Sequence, residues 1–240
     1  MRTILWIHGF PLSSAIFDPQ LSIGGAQHLT FDLPGFGLSP ARAEELTMDD
    51  YARMAIDVLD ANGVERATLA GFSMGGYVAF AAARLAPERI DGLILLDTRE
   101  TADTDEARKG RFDSIEKVRA EGVRPIVESM LPKMLTKSAP PEMVERVREI
   151  MMSSSPEGTI AALRAMAGRG DSSELLPTLN VPVLVVVGAE DAITPPSDAQ
   201  RMVAGLPKAR LVTVDGAAHL ANVEKSAEVN RAIEEYLRGR

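Results

Sequence analysis

Residues 71–76 read Gly-Phe-Ser-Met-Gly-Gly and open with a Gly-x-Ser-x-Gly pentapeptide whose serine, Ser73, could serve as a nucleophile. A serine hydroxyl attacks a carbonyl near neutral pH only with an adjacent base, itself oriented by a third group. Three histidines are available: His8, His28 and His219. His219 ends the run Gly216-Ala217-Ala218-His219, whose small residues let an imidazole approach a neighbouring turn closely. His8, beside Gly9, reads as a loop-shaping residue, and His28 begins or precedes a strand. For the orienting acid, Asp191 in Gly188-Ala189-Glu190-Asp191 ranks ahead of Asp97. Asp97 and Asp215 also suit the turns and caps that aspartates often make. The developing oxyanion would be met by the N–H of Met74, just after the nucleophile, and by that of Phe10 in His8-Gly9-Phe10-Pro11. Asp32, in Asp32-Leu33-Pro34-Gly35-Phe36-Gly37, is better explained by turn structure than by catalysis.

These residues need elements to position them. Residues 66–70 are short and apolar enough for a buried strand, and residues 77–86 read as an Ala-rich helix stopped by Pro87. A strand turning sharply into a helix crowds the backbone, and Gly71 and Gly75 remove the Cβ atoms that would collide. Further strands are expected at residues 4–7, 27–33, 92–96, 183–188 and 209–214. Helices are expected at residues 47–61, near 197–205 and from about 222 to 237, with Thr47 and Asp50 forming a capping box on the first. This alternation predicts an α/β fold: a mostly parallel sheet flanked by helices. Loops after parallel strands gather at one edge, which would bring Ser73, Asp191 and His219 together.

Residues 99–170 break the alternation. Strand-like runs vanish, prolines punctuate helical stretches at 142–152 and 159–167, and six of the eleven methionines lie here. The segment reads as an inserted helical cap, with residues 1–98 and 171–240 forming the core. Met130, Met134 and Met166 are candidate pocket walls, with Ile16, Phe36 and Leu220 from the core, although helical filler is the ordinary role of a methionine. The cap carries 13 Lys/Arg against 12 Asp/Glu and the remainder 13 against 22, a contrast that permits an anionic substrate.

The 240 residues are 45% hydrophobic and 25% charged, as in an ordinary soluble protein. A net charge of −8 argues against nucleic acid or an anionic membrane as partner. Cysteine is absent, which excludes disulfides, thiolate nucleophiles and Cys-ligated metals. The apolar run near the start is too short for a signal-peptide core or a bilayer span, so a cytoplasmic location is expected.

Taken together, His8-Gly9-Phe10-Pro11, Asp32-Leu33-Pro34-Gly35-Phe36-Gly37, Gly71-Phe72-Ser73-Met74-Gly75-Gly76, Gly188-Ala189-Glu190-Asp191 and His219 resemble an α/β-hydrolase-fold enzyme of the small, cofactor-free type. The order Ser, Asp, His is the family's, and the likeness spans nearly the whole chain. It implies a serine hydrolase acting on a small-molecule ester or lactone, with no cofactor and no metal, as a monomer or homodimer. Carboxylesterases, enol-lactonases and carbon–carbon bond hydrolases share these motifs, and a ligand-binding, receptor-like member is the alternative outside enzymes. Ser73 excludes the members that use an aspartate nucleophile. The oxyanion-loop strand comes within the first few residues, so a trimmed sheet edge is expected.

Overall fold

Residues 183–188 are apolar throughout and buried at every position, as a central strand covered on both faces must be. The computed structural model, which describes residues 2–42 and 45–239, makes this stretch β5 of a six-stranded, all-parallel sheet. The strands are β1 (Arg2–Ile7), β2 (Ala26–Phe31), β3 (Ala67–Phe72), β4 (Ile90–Leu96), β5 (Val183–Gly188) and β6 (Ala209–Val214), in the order β2-β1-β3-β4-β5-β6. Strand β2 forms the edge beyond β1.

The pleat divides the core in two. Leu5, Ile7, Leu69, Leu93, Leu95, Val183 and Val185 point to one face, where α1 (Met48–Ala61), α2 (Met74–Leu85) and, at the far edge, α7 (Pro196–Gly205) cover them. Ile4, Trp6, Ala70, Phe72, Ile94, Leu96 and Leu184 point to the other. Four further helices are inserted between β4 and β5: α3 (Asp105–Glu121), α4 (Arg124–Met134), α5 (Pro141–Met152) and α6 (Pro156–Ala167). After β6 come α8 (Ala221–Glu224) and α9 (Ser226–Arg238), which cover the second face together with the 3-10 helix Ser14–Gln20.

Several boundaries differ from the sequence reading for local reasons. Strand β2 ends at Phe31, two residues early, because Asp32 leaves the ladder to accept the Ser14 and Leu38 N–H groups at 2.8 and 2.9 Å. Strand β3 runs on to Phe72, since Gly71 and Phe72 still pair with Leu95 and Leu96. Helix α2 starts at Met74 rather than Tyr77, so the helix begins directly after Ser73. The terminal helix is broken at Lys225, whose φ of −127° and ψ of 45° are not helical. The capping box on α1 is present, with the Thr47 and Asp50 N–H groups bonded reciprocally at 2.9 and 3.2 Å. Helix α3 had no clear sequence signal, because Ile115 and Val118 are its buried residues in an otherwise polar stretch. No helix among the described residues is long and apolar enough to cross a membrane.

Candidate active site

Strands β1 and β3 are neighbours although the chain forms β2 between them, so the winding direction reverses at this pair. In open parallel sheets the crevice outside the carboxyl ends at such a reversal is the usual ligand site. Ser73 follows β3 directly, and Phe10 lies three residues past β1.

Ser73 adopts φ 50° and ψ −113°, a conformation that costs a non-glycine residue roughly 1–3 kcal/mol. The surroundings enforce it. The Ser73 N–H donates to the Leu96 carbonyl at 2.9 Å, and the Thr98 hydroxyl donates to the Ser73 carbonyl at 2.7 Å. A Cβ on Gly75 would overlap the Ile7 carbonyl oxygen, so glycine is what lets α2 begin against the end of β1. Met74 opens that helix, and its N–H is among the four that no helical carbonyl can reach.

The fully buried His219 lies between Ser73 and Asp191. Its Nε2 is 3.0 Å from Ser73 Oγ and its Nδ1 is 2.8 Å from Asp191 Oδ2. A neutral imidazole meets both contacts by donating from Nδ1 to the carboxylate and accepting the Ser73 hydroxyl proton at Nε2. Asp191 is fixed in turn. Its Oδ1 accepts the Ile193 and Thr194 N–H groups at 2.8 and 3.0 Å, and its Oδ2 accepts the Thr194 hydroxyl at 2.7 Å. Burial pushes the Asp191 carboxyl up, but His219 and the Thr194 hydrogen bonds outweigh it and hold the group below the ordinary aspartate value. The two loops also touch through backbone. Glu190 donates to the Ala217 carbonyl at 2.9 Å, and a Cβ on Gly188 would overlap the carbonyl oxygens of Ala217 and Ala218.

The remaining candidates fall elsewhere. His8 Nε2 accepts the Leu33 N–H at 2.9 Å, so Nδ1 carries the proton and donates to the Gly9 carbonyl at 3.0 Å. Burial keeps its pKa below the usual histidine value, against the raising effects of Gly9 and Asp32. It shapes the loop that carries Phe10. His28 bonds the Trp6 indole at 3.0 Å, and Asp215 and Glu190 are exposed. Asp97 is buried at the end of β4, where its Oδ1 accepts the Gly188 N–H at 2.8 Å. No group of three or more His, Asp or Glu side chains among the described residues is arranged to hold a metal ion.

A cavity of about 280 Å³ opens beside Phe10, walled by α3, α4 and α6 through Ala107, Arg111, Ile126, Met130 and Leu163. Met130 is thus at a cavity wall. Ile16, Met134 and Leu220 are buried in the apolar cluster of the second face, and Phe36 and Met166 in that of the first. Phe36 stands edge-on behind the Phe10 ring, centroids 6.3 Å apart. Sequence reading did not mark Thr194, Thr98, Arg111, Ile126 or Leu163. Thr194, three residues after Asp191, carries a signal, since aspartate side chains bond backbone N–H groups just ahead of them in turns; the others are brought in from separate elements.

A profile of the alpha/beta hydrolase fold matches residues 2–226. A thermophilic esterase from Thermogutta terrifontis superposes with a TM-score of 0.97 at 38% identity, covering 100% of this chain and 90% of that one. The 3-oxoadipate enol-lactonase 2 of Acinetobacter baylyi is 28% identical over 213 residues, 88% of this chain and 78% of that protein. A dihydrolipoyllysine-residue acetyltransferase component of the acetoin cleaving system from Pseudomonas putida is 29% identical over 98% of this chain, which spans 63% of that protein's length. With the Gly-x-Ser-x-Gly turn, the strand order and these matches in agreement, the chain belongs to the alpha/beta hydrolase fold family.

Proposed function

We propose that the protein is a serine hydrolase that cleaves small carboxylic esters through an acyl-enzyme on Ser73. The observation that carries this reading is the unbroken series Ser73 Oγ, His219 Nε2, His219 Nδ1 and Asp191 Oδ2, with contacts of 3.0 and 2.8 Å. His219 takes the hydroxyl proton as Ser73 Oγ attacks the ester carbonyl, and Asp191 stabilises the imidazolium that forms. The N–H groups of Phe10 and Met74 receive the oxyanion. Collapse of the tetrahedral intermediate expels the alcohol, which takes the proton from Nε2. Water, activated by the same imidazole, then releases the acid and restores Ser73.

The helices at residues 105–167 act as the cap, and the cavity at Phe10, Ile126, Met130 and Leu163 takes the acyl group. The likeness to an esterase supports ester cleavage, and that to an enol-lactonase supports a lactone as the alternative substrate for the same three residues. The test is turnover of a p-nitrophenyl ester series beside a lactone panel, with fluorophosphonate labelling of Ser73. Parent protein that neither turns over nor labels would make a receptor-like role the better reading.

A further inference from the structure

Asp97 is a buried carboxyl that the proposed chemistry does not use. It follows β4 with φ 45°, and Ser73 is the other non-glycine residue at positive φ among the described residues. The Asp97 N–H donates to the Val186 carbonyl at 2.9 Å, and Oδ1 accepts the Gly188 N–H at 2.8 Å. Both partners belong to the end of β5, which launches the Asp191 loop. Among the described residues Oδ2 has no hydrogen-bond partner, and the Ala221 N–H, two residues past His219, faces the carboxyl. On either side of Asp97 in the chain, the Leu96 carbonyl accepts the Ser73 N–H and the Thr98 hydroxyl donates to the Ser73 carbonyl. Residues 96–98 therefore bond the nucleophile turn with their flanks and the acid strand with their centre.

We propose that Asp97 is a positioning residue: its carboxyl holds the end of β5, and so the Asp191 loop, in register with the Ser73 turn. The inference rests on the hydrolase reading above. A turn at this φ would be served as well by glycine or asparagine, which tolerate the left-handed region. The carboxyl is instead kept at a cost. Burial and then the negative charge of Asp191 push its pKa well above the ordinary value; the Gly188 and Ala221 N–H groups oppose this, and Glu224 on α8 adds repulsion. The folded chain thus holds a proton that the unfolded chain releases near pH 4. The stabilisation from this proton is complete below about pH 4 and is lost as pH rises through the folded-state value. A protonated carboxyl still accepts the Gly188 N–H and leaves Asp191 as the negative charge at the imidazole.

Two variants test this. Asp97→Asn keeps an acceptor for Gly188, tolerates positive φ and cannot ionise. Asp97→Gly keeps the backbone conformation and removes the acceptor. Asp97→Gly should lower kcat for a p-nitrophenyl ester, and the rate of fluorophosphonate labelling at Ser73, by about tenfold or more, with KM changed less than about twofold. Asp97→Asn should restore both rates to within about threefold of the parent. Asp97→Asn should also melt higher than the parent near pH 8, with no such gain near pH 4. Folded Asp97→Gly with parental rates overturns the proposal, as does Asp97→Asn no faster than Asp97→Gly. If Asp97→Gly does not fold, fluorophosphonate labelling at Ser73 more than about tenfold slower in Asp97→Asn than in the parent overturns it, because the acceptor for Gly188 is kept there. Parent protein that neither turns over ester nor labels at Ser73 overturns the hydrolase reading itself, whereas parental activity unaffected by Asp97→Gly overturns the positioning role alone.

Discussion

The Leu220 N–H donates to the Met134 carbonyl at 2.8 Å, joining the residue after His219 to the end of α4. Glu224 makes a second link. Its Oε2 accepts the Ala218 N–H at 2.7 Å, and its Oε1 accepts the Thr136 N–H and hydroxyl at 2.8 and 2.7 Å. The histidine loop is thus held from the inserted helices as well as from the core. Glu224→Ala would leave three donors without their acceptor, at a cost of about 2 kcal/mol and a melting midpoint lowered by about 4–8 °C. Glu224→Gln keeps oxygen for one side and should lose less. Thermal unfolding followed by circular dichroism measures both, and equal losses would show that the oxygen kept in Glu224→Gln contributes nothing.

Ser73→Ala should reduce kcat on the order of 10⁴-fold or more and abolish fluorophosphonate labelling. Ser73→Gly should be equally inactive yet more stable than Ser73→Ala by about 1 kcal/mol, because glycine relieves the backbone strain that alanine retains. Comparing the two melting curves isolates that strain from the chemistry.

Asp191→Asn should lower kcat by about 10⁴-fold, since an amide favours the wrong imidazole tautomer. The same variant has a pH signature. Asp191 titrates lower folded than unfolded, so its stabilising contribution is present above about pH 4 and lost as pH falls through the folded value. Removing it should flatten the acid side of the stability profile, read as urea midpoints from about pH 6 down to 2.

Acyl preference should respond to the cavity wall. Each methylene buried contributes up to about 0.8 kcal/mol, roughly a fourfold gain in kcat/KM until the cavity is full. Met130→Ala should move the maximum of an ester series to longer chains, and Leu163→Phe to shorter ones. Met134→Ala should instead destabilise by about 2–4 kcal/mol and leave the maximum in place, because that side chain is enclosed in the core. A shifted maximum in Met134→Ala would return it to the pocket.

The sheet and the line of candidate residues could be read from the chain because each rests on local rules. A buried parallel strand announces itself by an unbroken apolar run, as residues 183–188 do, and a parallel sheet sends every strand's following loop to one edge. Ser73, Asp191 and His219 each follow a strand, so their meeting followed from topology. The cavity did not follow. Its walls come from Phe10 and from α3, α4 and α6, and α3 shows two buried residues on a polar helix whose place is fixed by packing against α6. Sequence ranks Asp191 ahead of Asp97, both aspartates at strand ends, but gives Asp97 no role beyond a turn or cap. The tertiary structure separated the two by distance: one carboxylate lies 2.8 Å from the imidazole Nδ1, and the other spends Oδ1 on the Gly188 N–H, a partner 91 residues along the chain.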